Sequence, residues 1–226
     1  MRKDACVCDG ISCRGFRELT CLFFVLVACS AGGIISSPAS AQTIIDEWAT
    51  VKAPPAPELK PVTIDPKGSA LLVLDIVKQT CPPRPRCVAS VPKIQGLLTQ
   101  ARSKGVAVVY SLVPGGSVAD ILPEVAPKEG EPIVMSGPDK FLGTDLEKVL
   151  KDKGVQTVII VGTAANGIGV YTGGDAALRG FKVVVPVDGI SAGDPYIEQY
   201  TAWHLANAPR VGPQVTLTRM DVIQYP

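Results

Sequence analysis

From residue 69 onward, short apolar runs alternate with stretches whose apolar positions recur at helical spacing. Residues 70–74, 106–112, 133–135, 158–161, 183–185 and 215–217 are runs dominated by apolar side chains, many of them β-branched. Runs of this length and character read as strands buried on both faces. Between the first two lies a helix pattern, with Ser90 as the expected N-cap, Pro92 in the first turn, Ile94, Leu97, Leu98 and Ala101 on one face, and Gly105 as the stop. Thr144-Asp145-Leu146-Glu147 has the form of a capping box and opens a second helix, closed by Gly154. A third helix follows the run at 158–161 and ends at Gly180, and a fourth covers residues 196–206. Strand runs alternating with helix patterns along most of the chain, with no internal repeat, predict a single α/β domain on a parallel sheet.

The chain ahead of this pattern is different in kind. Residues 42–68 are rich in proline and lack periodicity, so they read as an extended arm. Residues 1–41 have the layout of an export signal. Arg2, Lys3, Arg14 and Arg17 precede the apolar run at 22–28, and Ala39-Ser40-Ala41 offers a small-residue cleavage site before Gln42. That places the protein in a periplasm or outside the cell. A second reading is a lipoprotein, because Leu26-Val27-Ala28-Cys29 has the form of a lipobox; only lipidation at Cys29 would make a membrane a partner. The apolar run is too short, and too interrupted by Gly32 and Gly33, for a transmembrane helix.

Composition narrows the function. At 226 residues and 46% hydrophobic content the chain can bury one full core, and a net charge of +1 without basic blocks excludes nucleic acid as an expected partner. Removing four basic and three acidic leader residues from totals of 22 and 21 leaves a formally neutral mature chain, so electrostatic steering of a charged partner is not expected. Five of seven cysteines lie in the leader, leaving Cys81 and Cys87. An even pair in an oxidising compartment predicts a disulfide across a short, proline-stiffened loop; the alternative is two free thiols. One histidine, His204, and scattered carboxylates give no metal-site spacing, so no metal or other cofactor is expected.

Chemistry is expected at strand ends, where α/β proteins gather ligands. Asp75 ends the run at 70–74, where its carboxylate would face the crevice and suit proton transfer; capping the following turn is the competing role. Residues 162–176 read G-T-A-A-N-G-I-G-V-Y-T-G-G-D-A. The glycines match no phosphate-binding spacing, and their expected use is close backbone approach where strand turns to helix.

This layout resembles the isochorismatase-like hydrolase superfamily, which includes the nicotinamidase-type cysteine hydrolases. The resemblance covers residues 69–223. It rests on Asp75 at the strand end, on the G-x-A…T-x-x-D-A pattern at Gly162, Ala164, Thr172, Asp175 and Ala176, and on Phe141, Thr144 and Leu146 of a second family segment. It implies a three-layer α/β/α fold with a six-stranded, mainly parallel sheet, Asp75 as the catalytic aspartate, and a non-proline cis peptide at Thr163–Ala164. It also implies dimers or larger assemblies. Two expected groups are missing in sequence. The nucleophilic cysteine's position holds Ile168, which cannot attack a carbonyl, and the catalytic lysine, six residues before Phe141, is replaced by Met135. Lys140 and Lys78 are read as exposed loop lysines, with Lys78 kept as a pocket-lining residue beside Phe141, Ala164, Asn166, Gly167 and Ile168. True isochorismatases, which cleave a vinyl ether with aspartate-assisted protonation and water, also lack the cysteine but generally keep the lysine. The expectation is therefore an exported hydrolase of a small molecule that uses Asp75 and no thiol. The alternatives are an inactive small-molecule-binding protein on the same fold, or an envelope scaffold.

Overall fold

The computed structural model describes residues 43–226, so the expected export signal at 1–41, and Cys29 of the alternative lipobox reading, lie outside the described residues. The chain divides into two units, with the boundary after Val51. In the first, helix α1 (Ile44–Glu47) is capped by Thr43, whose N–H and hydroxyl both donate to Asp46 Oδ2.

The second unit, from Lys52, holds the remaining elements: β1 (Val62–Thr63), β2 (Ser69–Leu74), α2 (Pro85–Ser103), β3 (Ala107–Leu112), β4 (Ile133–Met135), α3 (Leu146–Asp152), β5 (Thr157–Thr163), α4 (Gly174–Leu178), β6 (Lys182–Pro186), β7 (Ile190–Ser191), α5 (Pro195–Asn207), β8 (Val215–Thr218) and β9 (Ile223–Gln224). The main sheet is parallel throughout, in the order β4-β3-β2-β5-β6-β8, and β7 adds a seventh strand beside the end of β5. The expected six strands are thus joined by one. The arm is not wholly unpaired either, since β1 pairs with β9 and Lys60 donates its N–H to the Leu217 carbonyl at the β8 edge.

Alternate residues of each strand feed opposite cores, as the period of two requires. Leu72, Leu74, Val109 and Ile160 join one core with side chains of α3, α4 and α5, while Leu71, Val73, Val108 and Ile159 join the other with α2. All six residues of β2 are buried, as expected for a central parallel strand covered by helices on both sides. Its register sets Leu74 opposite Ser111 of β3 and Gly162 of β5, so three strand ends converge where Asp75 leaves the sheet.

Two helix starts differ from their sequence patterns. α2 begins at Pro85, a turn and a half before the expected cap, because proline suits the first helical position and a Cys81–Cys87 disulfide fastens the first turn to the preceding loop. Ser90 is then a buried interior residue bonding back to the Cys87 carbonyl, and Pro92 lies inside the helix. At α3 the capping box does not close. The Thr144 hydroxyl accepts from the Leu146 N–H and donates to the Lys140 carbonyl, while Glu147 turns to Lys151 and Arg179. Among the described residues no helix is long and apolar enough to cross a membrane.

Candidate active site

Asp75 emerges from β2 with φ of 52°, left-handed backbone that an L-residue adopts at a cost of about 1–2 kcal/mol. It is 5% exposed. Every polar group it owns is occupied. Its N–H donates to Ser111 Oγ at 3.1 Å, Ser111 Oγ donates to Oδ1 at 2.7 Å, Lys140 Nζ meets Oδ2 at 2.8 Å, and the Thr80 hydroxyl donates to its carbonyl. Beside it Gly162 has φ of 141°, and a Cβ there would lie 1.9 Å from the Leu74 carbonyl oxygen. Only glycine lets β5 pass so close to the end of β2.

Lys140 is the main correction to the sequence reading. It is not an exposed loop lysine but fully buried, and its three ammonium protons have three acceptors: Asp75 Oδ2, the Ser136 carbonyl at 2.9 Å and the Leu112 carbonyl at 3.4 Å. A charge can persist in such a place only when it is paired and hydrogen-bonded. The chain between β4 and α3 folds back to bring it there, held by buried Thr172, whose hydroxyl accepts the Lys140 N–H and donates to the Pro138 carbonyl. Met135, which holds the spacing expected of the lysine, ends β4 and is 46% exposed. A lysine directly before Phe141 therefore occupies the place beside the aspartate.

The other expected lining residues scatter. Lys78 is exposed, its N–H bonded to the Asp120 carbonyl, and it makes no ion pair or hydrogen bond with Asp75, Ser111 or Lys140. Phe141 is buried, stacked on Phe181 at 6.1 Å and covered by the Arg179 guanidinium at 5.1 Å from its centroid. The Thr163–Ala164 peptide is cis, as the resemblance implied. Ala164 caps a π-helical segment, Ala165–Gly173, in which the N–H groups of Gly167 and Ile168 both bond to the Ala164 carbonyl. Asn166 is exposed, Gly167 is half-buried, and Ile168 is 1% exposed in the same core as Leu74 and Phe141.

The segment from 172 to 179 supports this arrangement from behind. Arg179 pairs with Asp175 and Glu147 as well as covering Phe141, and the Asp175 hydrogen bond holds its guanidinium above the usual range. Burial pushes the Asp139 carboxyl up against a downward pull from the Phe141 N–H, and nearby Asp175 adds to the rise. Sequence reasoning missed Ser111 and the placement of Lys140, since neither lies at a motif spacing and their contacts to Asp75 span 36 and 65 residues of chain.

Among the described residues no three His, Cys, Asp or Glu side chains cluster in a way that could hold a metal ion. Cys81 and Cys87 are the only cysteines from residue 43 onward, and they are joined, so among the described residues no free thiol stands near the aspartate. Two surface cavities, of about 500 and 390 Å³, lie elsewhere: one between residues 54–60 and the end of α5, one between α2 and the β6–β7 turn. Neither is lined by Asp75, Lys140 or Ile168.

Residues 69–219 match the Isochorismatase domain. A secreted isochorismatase effector of Verticillium dahliae is 31% identical over 117 residues, covering 47% of this chain and 62% of that protein. N-carbamoylsarcosine amidase of an Arthrobacter species is 26% identical over 145 residues, covering 52% and 55%. The chain thus spans less than two thirds of the length of these curated relatives. Among solved structures, an isochorismatase-like hydrolase from Alkaliphilus metalliredigens superposes with a TM-score of 0.60 at 23% identity, covering 68% of this chain and 95% of that one, a likeness of fold.

Proposed function

Because the chain belongs to the isochorismatase family, we propose that it is a hydrolase of a small molecule that works through Asp75 and Lys140 without a thiol. The observation that carries this reading is the 2.8 Å Asp75–Lys140 ion pair at the convergent ends of the central strands; buried Ile168, at the position where the resemblance expects the nucleophilic cysteine, supports a reaction without a thiol. An aspartate and a lysine held together in a buried site can perform proton transfer and offset charge developing on the substrate. With Cys81 and Cys87, the cysteines among the described residues, tied up in a disulfide, water serves as the attacking group. In the non-thiol reaction the Asp75 carboxylate takes a proton from the attacking water and passes it to the leaving part of the substrate, while the Lys140 ammonium compensates the negative charge that develops on the substrate. The export-signal layout of the sequence at 1–41, together with the likeness to a secreted effector of Verticillium dahliae, supports action outside the cytoplasm.

A second reading, a binding protein that has lost the chemistry, draws support from burial. Asp75, Lys140 and Ile168 are 5%, 0% and 1% exposed, so substrate access requires the surrounding loops to open. The test is a screen of the purified domain against vinyl ethers, esters and amides, with Asp75→Asn alongside. Turnover that disappears in the variant is the expected result. Equal turnover in both proteins would remove Asp75 from the mechanism, and ligand binding without turnover in either would favour the binding protein.

A further inference from the structure

Ser111 has a specific relation to Asp75 that no sequence motif marks. It is the last but one residue of β3, 1% exposed, and the Leu74–Ser111 register places it beside the residue before the aspartate. One hydroxyl contacts Asp75 twice, accepting from the backbone N–H at 3.1 Å and reaching the Oδ1 carboxylate oxygen at 2.7 Å.

The direction of these two bonds follows from proton count. A backbone N–H can only donate, so Ser111 Oγ must accept from it. The single hydroxyl proton is then free for Oδ1, and Oδ1 accepts it. The other oxygen, Oδ2, faces the Lys140 ammonium. The carboxylate is thereby fixed in rotation, with its two oxygens made inequivalent, one tied to a hydroxyl and one beside a cation. The same hydroxyl braces the left-handed backbone of Asp75, whose φ of 52° needs support from its surroundings.

Resting on the hydrolase reading, we propose that Ser111 is a positioning residue that reserves Oδ1 as an acceptor and so assigns proton exchange with the substrate to Oδ2, the oxygen beside Lys140. Ser111 acts through Asp75 and does not itself attack. Its side chain spends its only proton on Oδ1, and a serine acting as nucleophile would have to surrender that proton to the aspartate and carry the acyl group in a fully buried position. The alcohol is also the smallest group that can make both bonds. Alanine loses both, cysteine makes both weakly, and threonine keeps both while adding a methyl group.

The experiment has two arms, one with turnover and one without. In the first, Ser111→Ala, Ser111→Thr and wild type are compared on a substrate found by the screen. The expectation is a kcat about 10-fold to 100-fold lower for Ser111→Ala with KM within about 2-fold, and recovery of most of the loss in Ser111→Thr. A KM effect alone, equal losses in both variants, or a trapped acyl adduct on Ser111 detected by mass spectrometry would overturn the assignment. The second arm needs no substrate. In protein carrying 13C-labelled aspartate carboxyls, the Asp75 resonance is compared in H2O and D2O. Its isotope shift should shrink in Ser111→Ala, persist in Ser111→Thr, and not vanish in either, because Lys140 still donates to Oδ2. An unchanged isotope shift in a folded Ser111→Ala protein refutes the hydrogen bond on which the inference stands. If no substrate is found but this arm succeeds, the hydrolase reading has failed while the Ser111–Asp75 geometry stands.

Discussion

Replacing Lys140 by methionine keeps most of the side-chain volume and deletes the charge and all three donors. Asp75 would be left 5% exposed with Oδ2 unpaired, and the Ser136 and Leu112 carbonyls would each lose a partner. Removing one member of a buried ion pair typically costs about 3–5 kcal/mol, most of it the price of the stranded charge. For a domain of this size that corresponds to a fall in Tm of roughly 6–20 °C. The assay is thermal and urea denaturation of wild type, Lys140→Met, Asp75→Asn and the double variant. The double variant separates the stranded charge from lost packing. With Asp75 neutralised as asparagine, Lys140→Met should cost less than it does in the wild-type background, giving a coupling energy on the order of 1–3 kcal/mol. If Lys140→Met costs under about 0.5 kcal/mol, as an exposed lysine would, or if the four proteins are additive, the burial and pairing described for Lys140 are wrong.

Two further outcomes follow from particular contacts. Gly162→Ala should abolish soluble folded protein or cost more than about 4 kcal/mol, since its Cβ would sit 1.9 Å from the Leu74 carbonyl at a φ of 141°; a near-normal melting curve would contradict the β2–β5 register. Asp139→Asn should stabilise the protein near neutral pH. The folded-state carboxyl is raised by burial and Asp175, so ionising it opposes folding, and the penalty is complete above the folded pKa and absent below the unfolded one. The stability difference between variant and wild type, followed by denaturation from pH 7 downward, should therefore shrink as pH falls through the carboxylate range, and a difference that grows would reverse the sign of the argument.

Ser111 and Lys140 show how far local pattern reaches. The sequence by itself determined the strand runs, their alternation with helices, the parallel α/β class, Asp75 at the end of a buried strand and the glycine turn at 162, because each depends on residues close along the chain and on burial that hydrophobic runs encode directly. Cys81 and Cys87, an even pair across a short loop, likewise anticipated the disulfide that joins them. Helix starts were less legible, since Ser90 reads as a cap in isolation while Pro85 and the disulfide begin α2 earlier. The tertiary structure alone decided which lysine meets Asp75. Met135 held the expected spacing, but Lys140 reaches the aspartate because Thr172, 32 residues further on, docks its loop. Ser111 became part of the site only through the β2–β3 register. A carboxylate at a strand end can be read from one segment, whereas its partners are fixed by the packing of several segments, which no single spacing in the chain records.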